Sequence, residues 1–425
     1  MNQPSEILRD FFGYNSFKPG QSEIIEHILA GKNVLAVLPT GAGKSICYQI
    51  PAICSSSFSI VVSPLIALMK DQVDALNRNE KIASFINSSM DYYETEKVFS
   101  DLSQNKIKLL YVSPERLSNV SFANRIAELK PEYLFIDEAH CISEWGHSFR
   151  PSYRKILDFI NISKIEKYSA FTATATEEVR NDIVLQLGMK NPEIIVRGFE
   201  RENLSLNIFI TSSKREKVLE LLQSRSGPAI IYSSTRKSTE ELTEYCRKRG
   251  INCAFYHAGL TTDLRKMIQD DFINDRISCI ITTNAFGMGI DKSNIRTIIH
   301  YNLPASIENY YQEIGRAGRD GNPAKVYLLF HDGDRNIQEY LINLSRPELQ
   351  TIREVYDIIL DSHSITLGSG QNTVINIDSN LRKYIESKNI PGSSLESILR
   401  ILEQSGYLRN SGASKGYKCR ILLAP

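Results

Sequence analysis

The fold is decided by a loop of small residues between an apolar run and a helix, Leu38-Pro39-Thr40-Gly41-Ala42-Gly43-Lys44-Ser45. The apolar run 33–38 before the loop predicts a buried strand, and residues 46–50 after it suit a helix. Small residues let backbone N–H groups close around a phosphate, and the helix N-terminus adds the positive end of its dipole. The stretch therefore predicts an α/β fold with a phosphate-binding loop, although Leu38 stands where the general pattern has its first glycine.

Side chains in and before this loop indicate which nucleotide it binds. Lys44 can reach the β- and γ-phosphates, and Ser45 can ligate Mg²⁺. The backbone that would surround the phosphates comes from Thr40, Gly41, Ala42 and Gly43. Gln21 offers an amide that can pair with an adenine edge, as Asn and Gln do when they read adenine in nucleic acids. We therefore expect ATP rather than GTP.

An acidic pair follows another apolar run. Residues 133–136 predict a buried parallel strand, which delivers Asp137 and Glu138 to its carboxyl end. Open α/β sheets bind ligands at that end of their strands. Asp137 can hold Mg²⁺ there, and Glu138 can orient a water molecule. The pair predicts metal-nucleotide chemistry.

The loop after the acidic pair is rich in aromatic and cationic residues. Trp145, His147, Phe149 and Arg150 are residue types that stack on unpaired bases and grip phosphates. The alternative is a buried turn, because the only Trp of a chain is often part of the core. Gly, Pro and charged residues interrupt the aromatic ones, which favours a nucleic-acid contact.

The second half of the chain repeats the architecture with different chemistry. The apolar runs 228–232, 279–282 and 298–301 predict a second sheet, with a helix over 238–250. No phosphate loop accompanies this sheet, so it would need the nucleotide of the first one. Arg316 and Arg319, flanked by Gly and small residues, suit groups that reach across a cleft to a γ-phosphate. The alternative for such a pair is a solvated helix face.

Together these stretches resemble the RecQ family of DNA helicases in superfamily 2. The residues that carry the resemblance are 11–21, 38–45, 63–73, 111–117, 137–153, 171–176, 283–291 and 312–320, and the motifs together cover residues 7–330. Lys18 stands where an arginine is usual, and Glu144 and Ser148 depart from the aromatic-rich loop of the family. The resemblance implies two RecA-like parallel-sheet motor domains.

The resemblance also assigns roles around the nucleotide. Tyr14 and Lys18 would sandwich the adenine base, and Arg319 would be the arginine finger with Arg316 as its support. The remaining contacts that the resemblance implies are Gln312 near the attacking water, and Gly289 and Asp291 against the nucleotide.

The implied activity is ATP hydrolysis that drives 3′→5′ movement on single-stranded DNA and unwinding of duplex DNA, in repair or recombination. If each motor domain holds the strand by its backbone, alternating grip and release gives directional stepping. The candidate backbone contacts are Ser63, Lys70, Ser113 and Arg116 on the first motor domain, and Ser233, Arg236, His257 and Thr283 on the second.

Length and composition fit this plan. A chain of 425 residues accommodates two motor domains, expected at 1–200 and 201–335, and a small third domain at 336–425. The net charge of +1 does not exclude nucleic-acid binding, because the basic groups need only line one track. The chain has no run of eighteen apolar residues and no signal pattern at its N-terminus, which favours a soluble, cytoplasmic protein, nucleoid-associated if bacterial. We expect a monomer that binds DNA and no membrane.

The cysteines predict reduced thiols and no zinc. None of the seven makes a Cys-x-x-Cys pair, so they are expected as core thiols. Many RecQ proteins continue after the motor with four clustered cysteines that bind zinc, but beyond Asp320 this chain has only Cys419. His331 and His363 do not supply ligand spacing, so ATP and Mg²⁺ are the only cofactors expected.

Periodicity in the last ninety residues predicts a winged-helix-like domain. The pattern indicates a helix over 346–360, a strand over 373–377, helices over 380–388 and 394–404, and strands at 406–409 and 417–423 around a Gly/Ser turn. Residues 409–425 carry four basic side chains and no acidic one, which makes the wing a candidate contact to duplex DNA. The alternative is a module for protein interaction or for packing alone.

Three functions stay open at this point. An ATP-driven DNA helicase accounts for every motif. A superfamily 2 RNA helicase or nucleic-acid remodelling translocase shares the ATP site, and competition between substrates separates it from the first. A non-hydrolysing binder that uses ATP as a switch is disfavoured by the presence of Lys44, Glu138 and Arg319.

Overall fold

The structure is a computed structural model that describes residues 3–78, 80–87, 90–144, 149–198, 200–286, 292–345, 347–365, 374–388, 390, 392–410 and 418–421. The chain forms two compact units, Met1–Phe330 and His331–Pro425. The first unit contains two parallel sheets, and the second contains a small antiparallel sheet.

The first sheet has seven parallel strands. They are β1 (Val34–Val37), β2 (Ser59–Val62), β3 (Ala83–Ile86), β4 (Leu109–Val112), β5 (Tyr133–Ile136), β6 (Tyr168–Thr172) and β7 (Glu193–Val196), in the spatial order β3-β4-β2-β5-β6-β1-β7. The strand predicted at 133–136 is present with those bounds, and the one predicted at 33–38 is β1. β1, β2, β4 and β5 are buried along their whole length, as expected for a parallel sheet covered on both faces.

Helices pack on both faces of this sheet. They are α1 (Pro4–Asp10), α2 (Gln21–Leu29), α3 (Lys44–Cys54), α4 (Ile66–Leu76), α5 (Tyr92–Ser103), α6 (Pro114–Leu117), α7 (Val120–Glu128), α8 (Pro151–Arg154), α9 (Ile156–Ser163) and α10 (Glu177–Gln186), with a short 3₁₀ helix at Ala139–Ile142. Alternate strand residues feed two cores: Leu134 and Ile136 lie in one, and Tyr133 and Phe135 lie in the other. We call the first sheet and these helices the first lobe.

The second sheet has six parallel strands. They are β8 (Leu204–Ile210), β9 (Ala229–Tyr232), β10 (Cys253–Tyr256), β11 (Cys279–Thr282), β12 (Thr297–His300) and β13 (Ala324–Phe330), in the order β10-β11-β9-β12-β13-β8. Its helices are α11 (Lys214–Gln223), α12 (Arg236–Arg247), α13 (Thr262–Ile273) and α14 (Ile307–Ile314). The helix predicted over 238–250 begins earlier, at Arg236, because the Thr235 side chain caps it. We call these elements the second lobe.

The second unit begins with a helix that the sequence analysis did not predict, and from its second helix onward it follows the predicted order of elements. It contains α15 (Gly333–Ser345), α16 (Leu349–Ser362), β14 (Val374–Asn376), α17 (Ser379–Ser387), α18 (Gly392–Gln404), β15 (Leu408–Asn410) and β16 (Lys418–Ile421). The strands form an antiparallel sheet in the order β14-β16-β15, and apolar side chains from α16, α17 and α18 form the core. The boundary predicted between 335 and 336 falls inside α15, whereas the compact unit begins at His331. The turn predicted between the last two strands lies at 411–417, outside the described residues.

Within the described part of the chain, no helix combines the length and apolar character needed to cross a membrane.

Candidate functional site

The phosphate-binding loop lies where the sequence predicted it, between β1 and α3. Gly41 and Gly43 have φ angles of 85° and 77°, a left-handed conformation that residues with a side chain rarely adopt. Gly43 is the N-cap of α3, and no side chain among the described residues caps this helix. The N-terminus of α3 is therefore not closed by the protein's own side chains, which leaves it suited to an anion.

The segment before α2 holds this loop. The Gln21 Nε2 donates to the carbonyl oxygens of Ala42 (3.0 Å) and Gly43 (3.1 Å). The Gln21 Oε1 accepts a hydrogen bond from the Lys18 backbone N–H (2.8 Å), and the Lys18 Nζ donates to the Gly41 carbonyl (2.9 Å). Gln21 and Lys18 thus fix the backbone conformation of the loop.

These contacts add to the roles expected for the adenine site. Both ends of the Gln21 amide already bond to protein groups, so Gln21 supports the loop whatever it does at an adenine edge. Tyr14 is 54% exposed, which leaves an aromatic face open for stacking. Recognition of adenine by Tyr14, Lys18 and Gln21 stays a prediction.

The acidic pair lies at the carboxyl end of β5. Asp137 is 8% exposed, and burial raises the pKa of its carboxyl, with repulsion from Glu138 adding to the rise and Lys44 opposing it. Lys44 donates from Nζ to the Leu38 carbonyl (3.1 Å), and burial lowers its pKa, an effect that Glu138 and Asp137 oppose. The lysine and the two carboxylates therefore interact across the end of the sheet.

Glu138 adopts a strained backbone conformation. Its φ of 49° is left-handed, and its backbone N–H donates to the Asp137 Oδ1 (2.9 Å). The Tyr153 hydroxyl donates to the Asp137 carbonyl (2.9 Å) and holds the same turn from the other side. Non-glycine residues in this conformation concentrate at functional sites, where the surrounding structure maintains the strain.

His140 connects Glu138 to β6, a contact that the sequence analysis did not identify. Its Nδ1 lies 2.9 Å from the Thr172 Oγ1 and 3.4 Å from the Glu138 Oε2. The Thr172 hydroxyl in turn lies 3.1 Å from the Thr174 carbonyl, to which it can donate. The sequence signal was available, because His140 follows the acidic pair closely and residues 171–176 form a separate motif.

The donor set fits Mg²⁺. Two adjacent carboxylates, one of them buried, repel each other, and a divalent cation with hard oxygen ligands relieves that repulsion. Asp137 and Ser45 are the side chains that would hold the ion, with Asp137 at the end of β5 and Ser45 on the first turn of α3. Across the described residues, no cluster of three or more His, Cys, Asp or Glu side chains could enclose a metal. Such a sparse protein shell is usual for Mg²⁺ that is shared with substrate phosphates and water.

Residues 315–320, which follow α14 and carry Arg316 and Arg319, form what we call the arginine loop. This loop of the second lobe lies against the phosphate-binding loop. A Cβ atom placed on Gly315 would lie 2.7 Å from the Thr40 Cβ, and one on Gly41 would lie 3.1 Å from the Arg319 Cγ. Arg319 is close enough to Lys44 to lower its pKa electrostatically. Two cations from two lobes thus converge at one place, which favours a polyanion between them.

The other residues predicted in this loop have separate positions. Arg316 is buried and close enough to Tyr232 to affect the pKa of the phenol, which burial raises to about 12. Gln312 lies on α14, before the arginines. Gly289 and Asp291 lie outside the described residues, so their contact with the nucleotide stays a prediction.

Arg201 joins the two loops and was not found by sequence reasoning. Its Nη1 donates to the Thr40 carbonyl (3.3 Å), and its Nη2 donates to the carbonyls of Ala317 (2.9 Å) and Gly318 (2.8 Å). No motif marks it, because an isolated arginine between two strands carries no chemical pattern.

The first lobe places its predicted DNA contacts after the strand ends. Ser63 and Ser113 follow β2 and β4 and are buried, and the Ser113 side chain caps α6 by accepting from the Arg116 N–H (3.3 Å). Lys70 is exposed on α4. Arg150 Nη1 donates to the Pro64 carbonyl (2.8 Å), so the end of the aromatic-rich loop is tied to the segment after β2.

Part of the aromatic-rich loop lies outside the described residues. Trp145, His147 and Ser148 belong to that part. Phe149 is described, and the Arg154 guanidinium lies 5.1 Å from its ring centroid. The Arg154 side chain also pairs with Glu144 (3.0 Å). The described flanks of the loop are thus held to the first lobe.

In the second lobe, two of the four predicted DNA contacts are buried and bonded to the protein. The Ser233 hydroxyl donates to the Ser238 hydroxyl (2.8 Å). The His257 Nε2 lies 2.9 Å from the Glu240 Oε1, and its Nδ1 accepts from the Gly259 N–H (3.2 Å). Arg236 is exposed and Thr283 is partly exposed, so these two side chains are the accessible ones.

The fold and this site define the class of protein. Residues 18–182 match the family profile DEAD/DEAH box helicase, and residues 213–321 match the profile Helicase conserved C-terminal domain. The structure of S. cerevisiae Dbp5 bound to RNA and ADP BeF3 is similar, with a TM-score of 0.62 and 19% identity over 81% of this chain and 91% of that one. The first unit consists of two RecA-like domains of the superfamily 2 type.

Curated relatives show the family. The chain is 41% identical to the probable ATP-dependent DNA helicase RecS of Bacillus subtilis, over 84% of this chain and 72% of that protein. It is 42% identical to the ATP-dependent DNA helicase RecQ of Pasteurella multocida, over 77% of this chain and 52% of that protein. This chain belongs to the RecQ family of ATP-dependent DNA helicases. It spans 52% to 62% of the length of the RecQ proteins of P. multocida, B. subtilis and Haemophilus influenzae.

Proposed function

We propose that this chain is an ATP-dependent DNA helicase that moves 3′→5′ on single-stranded DNA and unwinds duplex DNA. The observation that carries the proposal is the convergence of Lys44, the pair Asp137 and Glu138, and Arg319 at the junction of two RecA-like lobes. The curated relatives that place the chain in its family are named as ATP-dependent DNA helicases, which supports DNA as the substrate.

The chain's own residues divide the hydrolysis between the lobes. Lys44 and the N-terminus of α3 hold the β- and γ-phosphates, and Glu138 orients the attacking water. Arg319 stabilises the charge that develops on the γ-phosphate, with Arg316 as its support and Gln312 near the water. Mg²⁺, held by Asp137 and Ser45, neutralises phosphate charge when bound. Gly289 and Asp291 complete the nucleotide contacts from the second lobe.

Hydrolysis drives movement because the γ-phosphate is contacted from both lobes. Lys44 belongs to the first lobe and Arg319 to the second, so ATP stabilises the closed arrangement of the lobes. Loss of the γ-phosphate removes that differential contact and lets the lobes separate. The relay from Glu138 through His140 to Thr172 and Thr174 connects the water-orienting group to the end of β6.

The DNA strand lies along the carboxyl ends of the strands of both lobes. Lys70, Arg116, Arg236 and Thr283 contact its backbone, together with the turns that Ser63, Ser113, Ser233 and His257 organise. Trp145, His147, Phe149 and Arg150 form the base-stacking loop. The Arg150 contact with the Pro64 carbonyl supports this arrangement, because it joins the stacking loop to a backbone-binding segment.

The remaining expectations are part of the same proposal. The chain comprises two motor domains and a winged-helix-like domain that contacts duplex DNA, and it uses ATP and Mg²⁺ without zinc. It acts as a cytoplasmic monomer in repair or recombination, nucleoid-associated if bacterial. Stoichiometric zinc in a metal analysis of the purified protein would contradict the zinc expectation.

The test is ATP hydrolysis with and without single-stranded DNA, followed by unwinding of a duplex with a 3′ tail. We expect strong stimulation by DNA, opening of the 3′-tailed duplex, and loss of turnover in Glu138→Gln. Glu128→Gln is the matched control, because Glu128 is an exposed carboxylate on α7, away from the site. Displacement of DNA by RNA competitors, or ATP turnover without DNA, would favour an RNA helicase or a nucleic-acid remodelling translocase. Absence of ATP turnover would favour a non-hydrolysing binder that uses ATP as a switch.

A further inference from the structure

Arg201 lies in the short segment between the two sheets. β7 ends at Val196 and β8 begins at Leu204. The guanidinium donates to one carbonyl of the phosphate-binding loop, that of Thr40 (3.3 Å), and to two carbonyls of the arginine loop, those of Ala317 (2.9 Å) and Gly318 (2.8 Å). One side chain therefore connects the backbone of both loops of the site.

An arginine is the residue type that this position requires. The guanidinium is planar and carries five N–H donors in a fixed fork, so it can serve acceptors on two sides at once. Burial lowers the Arg201 pKa, yet an arginine stays protonated in proteins. Its bonds to the Ala317 and Gly318 carbonyls, at 2.9 and 2.8 Å, have the length of charge-assisted hydrogen bonds, and its bond to the Thr40 carbonyl is longer at 3.3 Å.

The arginine loop is held at the peptide that precedes the finger. Gly318 has a left-handed φ of 54°, and a Cβ atom there would lie 2.5 Å from the Asn203 Nδ2. Asn203 also donates from Nδ2 to the carbonyls of Gly318 (2.9 Å) and Asn322 (2.9 Å). The Gly318 carbonyl is thus fixed by two side chains, and its peptide unit leads directly into Arg319.

The two side chains also contact each other, because the Arg201 Nε donates to the Asn203 Oδ1 (3.3 Å). The Asn203 Nδ2 donates to carbonyls of the second lobe, whereas Arg201 also bonds to Thr40 in the first lobe. Beside Arg201 lies a cavity of about 70 Å³, lined by Pro39, Arg201, Leu204, Leu206, Tyr311, Ile314 and Gly315. The side chains of the two lobes therefore do not fill the space beside Arg201, and the Arg201 bond to Thr40 is a polar contact between the lobes next to that cavity.

We propose that Arg201 is a positioning residue that sets Arg319 against the phosphate-binding loop, so that closure of the lobes and placement of the finger occur together. The inference rests on the proposed ATP hydrolysis. Arg201 acts through Arg319 and through the loop backbone, and its side chain makes no contact that would require the nucleotide.

The first test is steady-state ATP hydrolysis in the presence of single-stranded DNA. We expect Arg201→Ala to lower kcat by roughly 10- to 100-fold, because small misplacements of a catalytic group have effects of that size. KM for ATP should change by less than about threefold, because the phosphate ligands are retained. The kcat of Arg201→Lys should lie between those of the parent and Arg201→Ala, because a lysine ammonium lacks the fork of donors that bonds to both loops. Arg215→Ala is the control, an exposed arginine of the second lobe paired with Glu241.

A double-mutant cycle decides whether Arg201 acts through the finger. If it does, Arg201→Ala adds little to the loss caused by Arg319→Ala, because groups that act as a unit are non-additive. Effects that multiply, or a kcat for Arg201→Ala equal to that of the parent, would overturn the inference.

Hydrogen exchange gives a readout that needs no turnover. Arg201→Ala should speed amide exchange in peptides from both 38–43 and 315–319, whereas the control Arg215→Ala should speed it in neither. Equal exchange of the 38–43 peptides in the parent and in Arg201→Ala would overturn the bridge between the loops. If Arg201→Ala does not fold, Arg201→Lys provides both measurements.

The outcomes separate the two proposals. A parent chain without ATP turnover overturns the proposed function, and the exchange experiment still decides whether Arg201 bridges the loops. A parent chain that hydrolyses ATP while Arg201→Ala matches it in kcat and in exchange overturns the positioning role alone.

Discussion

The two lobes contain the same strand, loop and helix unit, and they end it in opposite ways. In the first lobe β1 leads through Gly41 and Gly43 into α3, whose N-terminus no described side chain caps. In the second lobe β9 leads into α12, and the Thr235 side chain accepts from the Ser238 N–H (3.1 Å). The first helix end is left for a ligand, whereas the second is satisfied by the chain itself.

The difference shows how one architecture supplies two functions. An uncapped helix N-terminus beside glycines with positive φ can approach phosphate closely. In a capped helix end, one of the free N–H donors that would attract an anion already bonds to the cap side chain. The second lobe can therefore contribute arginines to a shared site without binding a nucleotide of its own. Its arginine loop is held in position by hydrogen bonds from Arg201 and Asn203.

The largest expected effect tests the open helix end. Lys44→Ala should lower ATP turnover by about 100-fold or more, because the lysine stabilises charge on the transferred phosphoryl group. The control is Lys237→Ala, a lysine in the first turn of α12 with a side chain that is 88% exposed. Phosphate release measured at saturating DNA checks both. Retention of more than about a third of the parent turnover in Lys44→Ala would show that phosphates bind elsewhere.

A second prediction separates backbone strain from the loop's function. Gly43→Ala and Gly250→Ala both place a side chain at positive φ, 77° and 80°, so each should lower the free energy of unfolding by about 1–2 kcal/mol. Only Gly43→Ala places a Cβ atom 2.5 Å from the Gln21 Nε2, whereas no described atom lies within 4 Å at Gly250. We therefore expect a rise in KM for ATP of roughly tenfold or more in Gly43→Ala alone. Equal KM values in the two variants would contradict the role of Gln21 in shaping the loop.

A third prediction concerns the way the second lobe holds its own arginine loop. Asp320 accepts from the Arg296 Nη2 at 2.6 Å with both carboxylate oxygens, and the pKa of its carboxyl is lowered from 3.8 to about 2, chiefly by this bond. Asp320→Asn should lower the free energy of unfolding by about 1–2 kcal/mol at pH 7.

The pH dependence of that difference has a defined sign. A depressed carboxyl pKa contributes stability that is fully present above 3.8 and is lost as pH falls through about 2. The difference in the free energy of unfolding between the parent and Asp320→Asn, measured by urea unfolding, should stay constant from pH 7 to about pH 4 and become smaller below about pH 4. A gap that widens on acidification would show that Asp320 is not a charged partner of Arg296.

The smallest effect tests the cap itself. Thr235→Ala should lower the free energy of unfolding by about 1 kcal/mol through loss of the bond to the Ser238 N–H. KM for ATP should not change, because this helix end holds no nucleotide. A changed KM would mean that the second lobe contributes a phosphate contact at α12.

Local patterns predicted much of the fold and of the site. The phosphate-binding loop was evident because glycine spacing and a lysine are local features, and the strands around it followed from uninterrupted apolar runs. The start of α12 was less well predicted. A helix cap depends on side-chain geometry, which the pattern of apolar residues does not contain.

The sequence by itself determined the family, the parallel α/β architecture and the position of the glycine-rich loop between β1 and α3, because these depend on residue type and spacing along the chain. Only the tertiary structure showed that Gly315 and Arg319 lie against Thr40 and Gly41, and that Arg201 bonds to both loops. These contacts join residues more than a hundred positions apart, and the Arg201 bonds go to backbone carbonyls that every residue carries. A sequence pattern records which side chains are present, whereas the folded chain decides which backbone groups they reach.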